Sequence, residues 1–248
     1  VTEVNQAADA ADVPVGPHDD EPHQQGFNSR LNWLRAGVLG ANDGIVSTAG
    51  LVLGVAGATT DRTAILVAGV AGLAAGAMSM AAGEYVSVST QRDSEEALLA
   101  KERRELLETP EEELAELAGL YVDKGLDPDL ALQVAEQLTE HDALAAHAEV
   151  ELGIDPEDLT SPWGAAVASM LSFTLGALLP LLTIVLVAAG ARVPVTVAAV
   201  VAALSLTGWL SARFGFGSAR TAVVRNVVGS LLAMAVTYGI GQLVGTQV

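Results

Sequence analysis

The chain reads as an all-α, polytopic membrane protein, with five transmembrane helices and a three-helix cytoplasmic metal-binding insert between the second and third. Two observations carry that expectation. Five stretches are long and apolar enough to cross a hydrocarbon core of about 30 Å, which takes about 20 helical residues. Between the second and third of them, Gln91 to Thr160 hold 21 of the 30 acidic residues against only 5 basic ones.

The organisation follows from the same pattern. Residues 1–29 are polar and acidic, carry Pro14, Pro17 and Pro22, and lack a basic n-region and an apolar h-region, so they read as a disordered tail and not as a secretory signal. His18 and His23 in that tail read as solvated spacers. Residues 30–90 hold spans one and two, 91–160 the insert, and 161–248 spans three to five. The spans run from Leu31 to Ala58, Ala64 to Ser89, Trp163 to Ala191, Val193 to Ala212 and Ser218 to Val244. Arg30, Arg35, Arg92, Lys101, Arg103, Arg104, Arg213, Arg220 and Arg225 cluster on one side, against Arg62 and Arg192 on the other. The positive-inside rule then puts the N-terminus and the insert in the cytoplasm and the C-terminus outside. Gly40/Gly44, Gly50/Gly54, Gly72/Gly76 and Gly241/Gly245 repeat a small-xxx-small spacing that suits close packing within the chain, a homodimer seam or both. Pro180 should kink the third span unless neighbouring groups satisfy the freed carbonyl.

Composition narrows the chemistry. A net charge of −18 lies mostly outside the apolar spans, which points to a cation as partner and not to nucleic acid. There is no cysteine, so any metal must be held by oxygen, imidazole or thioether.

The insert reads as helical throughout. Ser89 to Leu107 continues from the second span. Pro110 opens a second helix capped by Thr109 and running to Lys124, and Asp127-Pro128 begins a third that ends near Leu152-Gly153. Leucines including Leu98, Leu99, Leu107, Leu117, Leu130 and Leu132 can form a shared core. Two i,i+3 glutamate pairs, Glu102/Glu105 and Glu113/Glu116, flank the break at Thr109-Pro110 and can gather four carboxylates around one hard cation. One such pair is ordinary for a soluble helix, and Glu111 to Glu113 also suit a helix start. His147 and Glu151 share a face at i,i+4, a spacing that suits a metal, while Glu149 points elsewhere on an ideal helix. His141 either joins them or is solvated.

Charge inside the spans is sparse, and an ionised carboxylate at the bilayer centre costs at least ~2.5 kcal/mol. Asp43 lies about 18 Å from the inner boundary, near the midplane. Met80 and Glu84, one turn apart on the second span, sit progressively nearer the cytoplasm. The three make a ladder of oxygen, thioether and oxygen ligands. The structural alternatives are a helix-capping role for Asp43, an interfacial Glu84 and ordinary packing for Met80.

Gly40-Ala-Asn-Asp-Gly-Ile-Val-Ser-Thr48, Met78-Ser-Met-Ala-Ala-Gly-Glu-Tyr-Val-Ser87, the glutamate pairs, Glu151-Leu-Gly153 and Thr237-Tyr-Gly-Ile-Gly241 resemble the vacuolar iron transporter family, which includes the yeast calcium and manganese vacuolar transporter. The resemblance covers Leu31 to Gly245. It implies a five-span homodimer that exchanges protons for Fe²⁺ or Mn²⁺, with a helical cytoplasmic domain that collects metal. By motif, Asp43, Met80 and Glu84 fall in the translocation path, and Glu102, Glu105, Glu113 and Glu116 are insert ligands. Where plant-like members have a methionine pair, this chain has His147-Ala148. That makes His147 a substitute ligand beside Glu151, casts doubt on Glu149, and moves the site from a soft preference toward divalent transition metals in general, Zn²⁺ included.

The function expected is therefore a proton-coupled antiporter moving Fe²⁺, and Mn²⁺ with it, out of the cytoplasm, with no prosthetic group and no enzymatic step. A membrane-anchored di-iron oxidase is the enzyme alternative, but neither His141 nor His147 has the glutamate three positions earlier that such sites use. A metal sensor without transport is the third reading, against which Asp43 and Glu84 count. Two lysines among twelve basic residues and abundant alanine point to a bacterial plasma membrane.

Overall fold

The computed structural model describes residues 27–215 and 217–245, with side chains from Gly37 onward except that of Phe214. The expectations for the N-terminal tail, including His18 and His23, lie outside the described residues. The elements are α1 (Phe27–Ala58), α2 (Arg62–Glu108), α3 (Pro110–Asp123), α4 (Pro128–His147) with a π-helical turn at Ala148–Leu152, α5 (Pro162–Leu186), α6 (Arg192–Phe214) and α7 (Ala219–Gly245). No strand occurs among the described residues. Five of the helices, α1, α2, α5, α6 and α7, are long and apolar enough to cross a membrane.

Local chemistry sets the helix ends. The Asp61 carboxylate accepts from the Thr63 N–H at 2.9 Å and opens α2. Ser161 caps α5, with Pro162 at the first position, where its missing N–H costs nothing. The third span stops at Leu186, short of the Ala191 expected, because Val187 turns extended and residues 188–191 form the turn into α6. α5 runs through Pro180 without interruption; the Thr183 hydroxyl donates to the Leu179 and Pro180 carbonyls, each at 3.1 Å.

Packing centres on α1, which touches α5, α7, α2 and α6. Its contacts with α5 and α7 are backbone to backbone. A Cβ at Gly44 would strike the Phe173 carbonyl, one at Gly176 the Ala41 carbonyl, and one at Gly241 the Gly54 carbonyl. These glycine pairs therefore serve packing within the chain. Between them lies an apolar core that includes Ile45, Val52 and Leu53 of α1 with Ile65, Ile184 and Leu204. Two polar ties cross it: Thr207 Oγ1 donates to Asn42 Oδ1 at 2.6 Å, and Arg192 donates to the Thr60 carbonyl at 3.3 Å. Tyr85 and Trp163 meet with ring centroids 4.8 Å apart where α2 and α5 adjoin the insert, as amphipathic rings do at a membrane boundary.

α2 is a single helix of 47 residues, so the membrane span and the first insert helix are one continuous rod. Its distal end joins α3, α4 and the π turn in a small module. The leucine cluster expected for its core forms in part. Leu117 packs with Ala135 and Ala146, Leu114 and Leu138 pack against them and Leu99 is buried, while Leu98, Leu107, Leu130 and Leu132 stay exposed.

The close contacts can be tested by adding one methyl group. Gly44→Ala and Gly241→Ala force backbone apart and are expected to destabilise the protein by about 1 to 3 kcal/mol. Gly119→Ala, in open space on α3, is expected to be neutral or stabilising by up to about 1 kcal/mol. Thermal melts of the detergent-solubilised variants read the difference; equal melting of all three would refute this packing.

Candidate metal centre

Two sets of polar side chains stand apart along α2. The first is in the insert. Glu102 comes from the distal end of α2, Glu113 from the first turn of α3, and His147 and Glu151 from the end of α4 and the π turn. Thr109 stands between the first two. It occupies the cap position of α3, but its hydroxyl donates back to the Glu105 carbonyl at 3.2 Å and so finishes α2 instead.

Glu102, Glu113 and His147 are buried, at 3, 6 and 0% exposure, which is unusual for two acids and an imidazole outside an apolar span. His147 Nδ1 lies 3.0 Å from Glu102 Oε1, 3.5 Å from Glu151 Oε2 and 3.8 Å from Glu113 Oε2. The contact at 3.0 Å lacks the alignment of a hydrogen bond, and Glu102 Oε1 and both ring nitrogens of His147 have no hydrogen-bond partner among the described residues. Donors bound to a transition metal at ~2.1 Å sit about 3.0 to 3.5 Å from one another at octahedral or tetrahedral angles. The spacings from His147 to Glu102 and Glu151 fall in that range, and Glu113 at 3.8 Å stands just beyond it. One donor each from Glu102, His147 and Glu151 falls within 4.8 Å of the others.

The electrostatics favour a cation. Burial pushes the Glu102 carboxyl up from its ordinary range, and the neighbouring charges of Glu151, Glu113 and Glu105 push it further against the opposing pull of His147. Burial also raises Glu113, with Glu116 the main charge acting on it. Acids that resist ionisation beside one another gain most from a bound divalent ion.

The other insert candidates sit at the rim. Glu105 is partly exposed and ion-paired with Lys101 Nζ at 2.6 Å, and Glu116 is exposed. His141 and Glu149 are also exposed and outside the cluster.

The second set lies in the membrane segment. Asp43 opens onto a cavity of about 200 Å³ between α1 and α2, which it lines with Ser47, Ser79, Met80, Leu51 and Phe173. With Thr48 also on its wall, a carboxylate, a thioether and three hydroxyl-bearing side chains share one space. Glu84 is half-buried one turn beyond Met80 and does not line the cavity. Ser47 and Ser79 were not singled out by sequence reasoning; their only signal is that they lie one turn from Asp43 and one residue from Met80.

A profile of the VIT family matches residues 34–242, nearly the whole described chain. The chain belongs to the VIT family. It is 42% identical to the "Vacuolar iron transporter" of Acanthamoeba castellanii over 91% of this chain and 83% of that protein. It is 38% identical to "Vacuolar iron transporter homolog 4" of Arabidopsis thaliana over 89% of this chain and 88% of the relative. A third relative, "Vacuolar iron transporter homolog 1" of Oryza sativa, is 38% identical over 98% of this chain and 92% of its own length. This VIT protein is thus a multi-pass membrane protein of a family of metal transporters, not of enzymes. Both residue sets lie within the matched region.

The raised carboxyls give a signed pH dependence. An acid whose folded pKa lies above its unfolded value weakens the fold once ionised, and that cost disappears as pH falls through the raised pKa. The metal-free module is therefore expected to become more protected between neutral pH and the raised Glu102 and Glu113 values, before general acid unfolding. Hydrogen exchange of the α3 and α4 amides over a pH series from about 7.5 down to the onset of acid unfolding measures this. Intrinsic-rate-corrected opening that becomes more frequent throughout that descent would contradict it. Glu102→Gln is expected to flatten the dependence.

Proposed function

We propose that this VIT protein exports Fe²⁺, and Mn²⁺ with it, from the cytoplasm in exchange for protons, as a homodimer in a bacterial plasma membrane. The observation that carries the reading is Asp43. Its carboxylate is exposed on the single chain's surface within a membrane-length helix, yet it opens onto a cavity shared with the Met80 thioether. An ionised acid facing lipid is costly, so such a group belongs to a water-filled or ion-filled path. In the proposed homodimer a second copy covering this open side would shield Asp43 from lipid. In a low-dielectric site the carboxylate holds either a proton or a cation favourably but not both, which is the elementary requirement for exchange.

The insert supplies capture. Glu102, Glu113, His147 and Glu151 are proposed as ligands, with Glu105 and Glu116 adding negative charge at the rim and to a wider coordination shell. The basic residues flanking the insert support a cytoplasmic position for it. Met80 and Glu102 are 22 residues apart on one helix, about 33 Å at 1.5 Å per residue. The ion therefore leaves one site before it enters the other, and Glu84, between them and half-buried, is proposed to lie on that route. The imidazole favours borderline divalent ions such as Fe²⁺ and Zn²⁺ over a thioether-selected soft ion, and the surrounding carboxylates also suit Mn²⁺.

Proteoliposomes loaded to set a pH gradient test the transport step. Fe²⁺ flux is expected to follow the gradient, to fall to the background level in Asp43→Ala and to drop severalfold in Met80→Ala. Flux through Asp43→Ala at the wild-type rate would overturn the path, and flux indifferent to the gradient would overturn proton coupling. Glu102→Ala together with His147→Ala is expected to raise the half-saturating Fe²⁺ concentration by roughly tenfold or more while sparing the maximal rate.

A further inference from the structure

We propose that Asp142 is a positioning residue of the insert site: by breaking α4 it turns His147 and Glu151 toward Glu102 and Glu113. The inference rests on the metal-site reading above, and it comes from a conflict between helical phase and observed burial. Ala131 and Ala135 are buried and Leu138 packs beside them against Leu117, a stripe with i, i+4, i+7 spacing. At ~100° per residue, an unbroken α4 would continue that stripe through Asp142 and Glu149. His147 and Glu151 would then lie about 160° and 200° from Ala131, on the far side of the helix.

The opposite is found. Asp142 and Glu149 are exposed, while His147 and Ala148 are buried. The phase changes at Asp142, whose backbone is extended (φ −159°, ψ 98°) inside an otherwise helical segment. Its carboxylate accepts from the Ala145 N–H at 3.0 Å, which makes it the N-cap of a new helical start five residues before His147. The far end is closed as well. The π turn at Ala148–Leu152 finishes on Gly153 in the left-handed region (φ 66°), and the Ile154 N–H donates to the Ala148 carbonyl at 2.9 Å. The ligand-bearing segment is thus a short capped unit, re-aimed as a whole.

Asp142 does this from outside the cluster: its carboxylate accepts from the Ala145 N–H, and among the described residues the acids that meet His147 are Glu102, Glu113 and Glu151. Aspartate stabilises an extended cap residue, whereas alanine favours continuing the helix and restores the outward phase of His147. Asparagine and serine cap almost as well as aspartate, so they separate capping from charge.

Co²⁺ is a suitable probe, because its visible spectrum reports ligand identity and geometry. The full chain in detergent, in an Asp43→Ala background to silence the membrane cavity, is titrated with Co²⁺ by calorimetry and by absorbance. Asp142→Ala is expected to weaken Co²⁺ binding about tenfold, as loss of a supporting partner does at metal sites, and to change the spectrum by removing the imidazole. Asp142→Asn and Asp142→Ser are expected to restore both to near the parent values. Wild-type affinity and spectrum in Asp142→Ala would overturn the proposal, as would failure of both capping variants to rescue. Adding Glu102→Ala and His147→Ala to the parent separates the two readings: unchanged Co²⁺ binding there would remove the metal site itself, whereas lost binding there with no effect of Asp142→Ala would remove only the role of Asp142.

Discussion

The membrane part of this protein depends on how closely α1 is approached by its neighbours. α1 is packed by four other helices, and contacts at the backbone level with α5 and α7 leave no room for side chains at Gly44, Gly176 and Gly241. Lipid supplies no hydrophobic force between helices, so van der Waals contact at this range has to hold them. The consequence is geometric. With its other faces occupied, α1 keeps one side open, and that side carries Asp43 and Ser47 toward the cavity shared with α2. The same glycines that make the bundle compact therefore decide where a charged group can stand in it.

The insert follows a different rule. Its core is small, built on Leu117, Ala135 and Ala146, and next to that core it buries two glutamates and a histidine. Apolar residues in those places would make the module more stable, because desolvating Glu102 and Glu113 raises their pKa and costs folding free energy at neutral pH. A cation reverses the sign of that term. If the module binds metal as proposed, binding and folding stability are linked, and stability given up in the empty state returns as affinity in the filled one.

The architecture was legible where one physical quantity dominates. Hydropathy over about 20 residues marks the spans, and the charge reversal at Gln91 marks the insert. The glutamates were legible as pairs, but not as individuals. Glu102 and Glu105 share one face of α2, yet the first is buried against His147 and the second pairs with Lys101 at the surface. Tertiary contact alone makes that distinction. The helical wheel separates Glu149 from the face shared by His147 and Glu151, but because it assumes an unbroken helix it would put Glu149 on the buried stripe of α4 and His147 opposite it, the reverse of the observed burial. His141-Asp142-Ala143-Leu144 carries the usual mark of a helix start, an aspartate before an apolar residue, but it is embedded in a run that reads as continuous helix.

α2 unites the two halves and also limits how they can cooperate. One unbroken helix holds Met80 at the cavity and Glu102 at the insert cluster, so any tilt of the rod moves both. A rod conveys orientation and does not shorten distance. With about 33 Å between the two positions, no side chain bridges them. The only acid on α2 between Met80 and the polar stretch beginning at Gln91 is Glu84, half-buried beside the Tyr85–Trp163 pair at the boundary. In the proposed function, capture and translocation are separate equilibria joined by a common helix. Tight binding in the insert would slow delivery, which is a physical reason for ligands that lose affinity when protonated and for rim acids, Glu105 and Glu116, that attract an ion without enclosing it.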